Sequence, residues 1–194
     1  NMGAPVNAAA RESQPSLSDS GRTLYFASNR EGTLGGSDLW VSYRQADGSW
    51  STPRNLGSAI NTAEDDAAPF IHPDDRTLYF MSKGHPGMGG FDLFFAGRQA
   101  DGSWGAVTNL RYPINSTGNE GALVVSLDGE TAYFASDRLD AAPEDGGGAI
   151  DLYRFTLYPA ARPDPVTYVK AVVRDAETGQ PLVAGVEFVD LSDA

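Results

Sequence analysis

A chain that repeats itself has to give each copy the same local structure and stack the copies so that they bury one another's apolar faces. In this sequence Tyr25-Phe26-Ala27-Ser28 returns as Tyr79-Phe80-Met81-Ser82 and again as Tyr133-Phe134-Ala135-Ser136, with 54 residues between successive copies. Gly36-Ser37-Asp38-Leu39-Trp40 returns 54 residues on as Gly90-Phe91-Asp92-Leu93-Phe94. Its third copy, Ala149-Ile150-Asp151-Leu152-Tyr153, comes 59 residues later, which places a five-residue insertion within residues 141–148. Ala46-Asp47-Gly48-Ser49-Trp50, Asn55-Leu56 and Ile60-Asn61 recur as Ala100-Asp101-Gly102-Ser103-Trp104, Asn109-Leu110 and Ile114-Asn115. The same period runs back to Asn1-Met2 and Val6-Asn7, so the chain begins inside the tail of an earlier copy.

Each copy reads as a small antiparallel sheet. No amphipathic helical stretch exceeds a turn or two, and short apolar runs are broken by turn-forming residues, 22 Gly and 12 Pro among them. The first strand is expected near 15–18, 69–72 and 122–126. The second is 23–28, 77–82 and 131–136, and the third 39–44, 93–98 and 152–157. Asp47-Gly48 and Asp101-Gly102 suit tight hairpins because Gly takes positive φ freely. They lead into short outer strands around 50–56 and 104–110, which the last copy lacks. Four strands per copy, repeated about an axis, make the blade of a β-propeller. The reading is therefore all-β: blades at 11–63, 64–117 and 118–158, with 1–10 as the tail of a preceding blade. Three blades fall short of the usual closed ring, so the expectation is a segment of a longer protein; pooling of blades in a dimer is the lesser alternative.

These residues resemble the WD-like repeat of TolB-type propellers, through the Thr-Leu-Tyr-Phe-x-Ser strand followed by Gly-Gly-x-Asp-Leu. The spelling at 32–40, at 55–61 and in His85-Pro86-Gly87-Met88-Gly89-Gly90-Phe91-Asp92-Leu93 is similar to that of OmpA-family envelope proteins of Bacteroidetes-like bacteria. The resemblance covers about residues 1–158. Past a proline-rich linker at 159–167, Val173-Arg174-Asp175-Ala176-Glu177-Thr178-Gly179-Gln180-Pro181-Leu182 resembles the opening of a carboxypeptidase-regulatory-like β-sandwich. At 168–194 that sandwich is truncated, with a second strand expected over 183–189. The resemblance implies a non-catalytic interaction scaffold in the periplasm or at the outer membrane, serving envelope or secretion machinery. Its partners would be envelope proteins, with peptidoglycan reached only through an OmpA-like domain that is not in this chain.

Charge and composition narrow the chemistry. The formal net charge of −12 argues against nucleic acid or anionic lipid as partner. No apolar run is long enough to cross a membrane as a helix. Without cysteine there are no disulfides, thiolate metal sites or cysteine nucleophiles. No Gly-x-Ser-x-Gly elbow occurs, and no Gly-Lys-Ser/Thr follows the glycine-rich loops at 32–36, 84–90 and 146–148. No catalytic residue and no cofactor are expected.

Asp38, Asp92 and Asp151 read as turn caps. Glu12, Asp66 and Glu120 share one position just before the innermost strand, where they could ring a channel mouth and attract a hard cation such as Ca²⁺. His72 reads as an edge-of-turn substitution. As partner contacts the candidates are Trp50 and Trp104 on the outer strands, with His85 and Met88 in the second glycine loop. An exposed indole would suit a sugar, so a glycan-binding propeller is the alternative. A propeller gating a hydrolase whose catalytic domain lies elsewhere is the other.

Overall fold

In a computed structural model, residues 1–138, 150–168 and 172–185 are described. They form three antiparallel sheets. The first contains Glu12–Leu17 (β1), Thr23–Ser28 (β2), Asp38–Tyr43 (β3) and Arg54–Asn55 (β4), hydrogen-bonded in that order. The second repeats it with Asp66–Ile71 (β5), Thr77–Ser82 (β6), Asp92–Gly97 (β7) and Thr108–Asn109 (β8). The third has Glu120–Val125 (β9), Thr131–Ser136 (β10) and Asp151–Thr156 (β11), with no fourth strand among the described residues. These are propeller blades, and the all-β reading holds.

The innermost strands begin earlier than the sequence suggests. Gln14, Ala68 and Ala122 have φ of 53°, 46° and 51°, and the pairing register slips there in every blade. A bulge with a left-handed residue breaks the period-two alternation, so only the half after the bulge reads as a strand. Glu12, Asp66 and Glu120 are accordingly the first residues of their strands, paired across to Ser28, Ser82 and Ser136. The outer strands shrink to two residues, preceded by single bridges from Arg44 to Trp50 and from Arg98 to Trp104.

Blades stack through the Tyr-Phe pair of the second strand, whose side chains point to opposite faces. Tyr25, Leu39 and Val41 of the first blade meet Leu78, Phe80 and Phe94 of the second in one buried cluster. Tyr79 and Leu93 meet Ala132 and Phe134 of the third in the next. Thus in the first two blades both members of the pair serve seams, the Phe toward the preceding unit and the Tyr toward the following one, while in the third Phe134 is buried in its seam and Tyr133 is exposed. Val6, Ile60 and Ile114, spaced by the repeat, are buried in three successive clusters. Fully burying one such side chain contributes about 1.5–3 kcal/mol, so a seam of this size is the main source of blade-to-blade stability.

The double glycines belong to the same seams. A Cβ on Gly35 would run into the Glu64 carbonyl, and one on Gly89 into that of Gly118. A Cβ on Gly36 or Gly90 would strike the Asp65 or Asn119 side chain. That close approach lets Ser37 O accept Asp66 N–H and Phe91 O accept Glu120 N–H, both at 2.7 Å, tying each loop to the next blade.

The proline-rich linker is packed rather than a free spacer. Its 3₁₀ turn Pro159–Ala161 buries Ala161, whose carbonyl accepts the Tyr79 hydroxyl at 2.6 Å. Arg162 then pairs with Glu130 at 3.0 Å and Asp164 with Arg76 at 3.6 Å. Val166 N–H donates to Leu127 O, and the Tyr168 hydroxyl donates to Asp19. The strap therefore touches the inner hairpin turn of all three blades along their lower rim. The described part of the tail carries one bridge, from Arg174 to Pro181, and a turn held by Asp175. The expected insertion at 141–148, the glycines at 146–148 and most of the expected strand at 183–189 lie outside the described residues.

Candidate functional site

At the upper edge of each blade, where the innermost strand starts and the second ends, the repeated acids share their surroundings with an arginine in the first and third blades and a histidine in the second. Arg30 lies over Phe26 and Trp40, at 4.8 and 5.3 Å from their ring centres, and donates to Val6 O. Glu12 is its counter-ion at 3.1 Å. In the third blade Arg138 lies over Phe134 and Tyr153, donates to Pro113 O and Ile114 O, and pairs with Glu120 at 3.4 Å. In the second blade His85 takes this place, packed on Phe80 and Phe94 with Nε2–H donating to Ile60 O at 2.8 Å. Each latch fastens the connecting segment that enters its blade to the aromatic face of that blade.

This placement accounts for the acids. Glu120 is fully buried and accepts Ser116 N–H at 3.0 Å, Ser116 Oγ–H at 2.5 Å and Ser136 Oγ–H at 2.8 Å. Asp66, equally buried, accepts Thr62 N–H at 2.5 Å and its hydroxyl at 3.0 Å. Burial pushes the Asp66 carboxyl up, and hydrogen bonds from Ser82 and Thr62 oppose that rise. The three carboxylates lie in three separate blade networks instead of facing one ion. Among the described residues no group of three His, Cys, Asp or Glu is placed to hold a metal.

Asp38 Oδ2 accepts Leu34 N–H and the Asn55 amide; Asp92 Oδ2 accepts Met88 and Gly89 N–H. These are loop caps, whereas Asp151 is exposed. His72 is buried between blades, with Nε2 3.1 Å from Ser126 O and Nδ1 beside the backbone nitrogen and carboxylate of Asp74. Trp104 packs on the first seam, edge-on to Tyr25 at 6.2 Å, and Trp50 packs on Leu24, Phe26 and Trp40. Both indoles are half-buried edges of their blades. Met88 is half-exposed at the tip of its loop.

The sequence did not single out a recess on the upper face. A basin of about 370 Å³ between the first two blades is lined by Arg11, Gln14, Asn29, Asp65, Met81 and Phe91 among others. A second basin of about 240 Å³ continues past Gln14, Met81 and Phe91 toward Ala122, Ala135 and Ile150 of the third blade. The shared residues make them one groove across the second blade. Asp65 pairs with Lys83 at 3.0 Å, and the Lys83 ammonium lies 4.5 Å from the centre of the Phe91 ring. Gln14 Oε1 accepts Ala68 N–H at 3.0 Å, which holds the side chain among the residues lining both basins. The lining differs from copy to copy: Arg11, Asp65 and Asn119 are equivalent, as are Ala27, Met81 and Ala135, and Ser37, Phe91 and Ile150. Seam and latch positions repeat, and groove positions diverge.

No protein-family model matches the sequence, and no curated protein matches it. Among solved structures, a TolB from Agrobacterium tumefaciens aligns with a TM-score of 0.54 and 15% identity, over 80% of this chain and 48% of that one. TolB from Acinetobacter baumannii gives 0.49 and 14%, over 82% and 33%. A puromycin-hydrolysing peptidase of Mycobacterium tuberculosis gives 0.47 and 17%, over 89% and 24%. The first of these shows the fold: a TolB-like β-propeller, of which this chain spans about half the length. No helix among the described residues is long and apolar enough to cross a membrane.

Proposed function

We propose that this chain is a non-catalytic protein-interaction propeller of the bacterial cell envelope, acting as a rigid scaffold in an OmpA-family-like protein. The observation that carries this reading is the division of labour among its residues. The repeated acids and cations are spent on latching blades together, and the positions that break the repeat gather along the upper groove. A groove walled by an arginine that has no ion pair among the described residues, an ion pair and two apolar side chains selects by shape and charge. Packing of Trp50 and Trp104 into their blades favours a protein over a sugar ligand. The tail fits the opening of a carboxypeptidase-regulatory-like module, held at the lower rim by the strap, which leaves the upper face for partners in the periplasm or at the outer membrane.

The test is capture from a detergent-solubilised envelope extract by the full chain and by Phe91→Asp, which places a charge in the groove without entering a seam. The wild type should retain a defined set of envelope proteins that Phe91→Asp loses. Retention of polysaccharide alone, competed by free sugar, or equal retention by both proteins, would overturn the reading.

A further inference from the structure

Within that reading, and resting on it, we infer that the upper groove takes the C-terminal tail of a partner protein, with the terminal carboxylate on Arg11 and an apolar side chain against Met81, Phe91 and the second basin. Arg11 is exposed at the blade-1 end of the groove. Its backbone N–H is used by Asn29, while its guanidinium has no hydrogen bond or ion pair among the described residues. The one carboxylate facing it across the basin, Asp65, already holds Lys83 at 3.0 Å. Arg11 is therefore the cation left for a ligand, and a guanidinium binds carboxylate through two parallel N–H donors.

The remaining chemistry lies beyond Arg11. The side-chain amide of Gln14 is held by its Oε1 contact to Ala68 N–H, leaving its NH₂ as a donor for a peptide carbonyl. Met81 and Phe91 line both basins; the second adds the apolar Ala122, Ala135 and Ile150, together with Asn119, Asp137 and Glu120, whose polar groups are engaged with one another or with Ser116 and Ser136. A basin of about 370 Å³ has room for roughly two residues and the second, about 240 Å³, for about one more. A chain terminus ending in an apolar residue presents a carboxylate and an apolar group together, matching a basin lined by Arg11 with Met81 and Phe91. The net charge of −12 works against ligands carrying several acids, which favours a short apolar tail with one carboxylate.

The experiment is calorimetric titration of the full chain with the acetylated tetrapeptide Ac-Ala-Leu-Ala-Leu as free acid and as C-terminal amide. The free acid should bind about tenfold or more tightly than the amide, the factor expected of a charge-assisted pair. Arg11→Gln should erase that preference with the melting temperature unchanged, because Arg11 is exposed and supports no seam. Phe91→Ala should weaken both peptides alike. Equal binding of acid and amide to the wild type, a preference that survives Arg11→Gln, or no binding at millimolar peptide would each overturn the inference. If the tetrapeptides fail while envelope capture still depends on Phe91, only the tail inference falls. If capture is indifferent to Phe91→Asp, the scaffold reading falls with it.

Discussion

The latches differ in how deeply each counter-ion is buried, and that sets what its loss should cost. Glu120 and Arg138 are almost completely enclosed, with side chains 0% and 5% exposed. Removing one partner leaves the other charge buried and unpaired, so Glu120→Ala should lower unfolding stability by about 3 kcal/mol in urea titrations. Glu12 and Arg30 lie nearer solvent, and Glu12→Ala should cost about 1 kcal/mol. Asp74 gives a pH signature. Burial pushes its carboxyl up, but the His72 ring beside it and donors from Arg76 and Thr77 outweigh burial and hold it at about 2, against an ordinary 3.8. A carboxyl held low in the folded state stabilises above its unfolded pKa and loses that contribution as pH falls through the folded one. Stability should therefore drop by about 2 kcal/mol between pH 4 and pH 2 on this account, and Asp74→Asn should flatten that limb while lowering stability at pH 7. The sequence showed the acids at one repeated position but not their cations. Arg30, His85 and Arg138 are spaced by 55 and 53 residues, and Gly84 stands at the exact repeat of Arg30. The 54-residue period aligns Arg30 with Arg138 two copies on and passes over only His85, one position past Gly84 in the middle copy.

Elements were legible where backbone chemistry and side-chain pattern agree. The second strand of each blade, Thr23–Ser28, Thr77–Ser82 and Thr131–Ser136, reads directly because its Tyr-Phe run recurs in all three copies and its apolar residues are buried in seams on two sides of the first two blades and one side of the third. The innermost strand loses its first half to a bulge built on Gln14, Ala68 and Ala122, residues that carry no signal for positive φ. The double glycines Gly35-Gly36 and Gly89-Gly90 serve close approach to the next blade, which the absence of a phosphate-loop motif does not disclose. Gly89→Ala would press a methyl group on Ser116 O and Gly118 O and should cost about 1–3 kcal/mol in thermal unfolding. Gly97→Ala, with open space around the added carbon, should stay within about 0.5 kcal/mol of wild type. Equal effects at the two positions would contradict the seam account.

Across the whole molecule, equivalent positions have unequal surroundings. Leu39 and Leu93 are 0% and 1% exposed in their seams, whereas Leu152, at the same place in the third blade, is 87% exposed beside a 47% exposed Tyr133. Leu93→Ala should cost about 3 kcal/mol and Leu152→Ala less than about 0.5 kcal/mol. The groove was illegible in the sequence because its lining comes from separate copies at positions where the repeat does not hold. The strap was illegible because nothing in Arg162-Pro163-Asp164 announces Glu130 and Arg76 as its partners. Together they divide the propeller into a lower rim occupied by its own linker and an upper face open to partners. The most direct test places a photo-crosslinking benzoylphenylalanine at position 91 in the groove or at position 101 on a lower hairpin, each irradiated in envelope extract. Discrete protein adducts at 91 and none at 101 are the predicted result; adducts at 101 alone, or at neither position, would contradict recognition through the upper face.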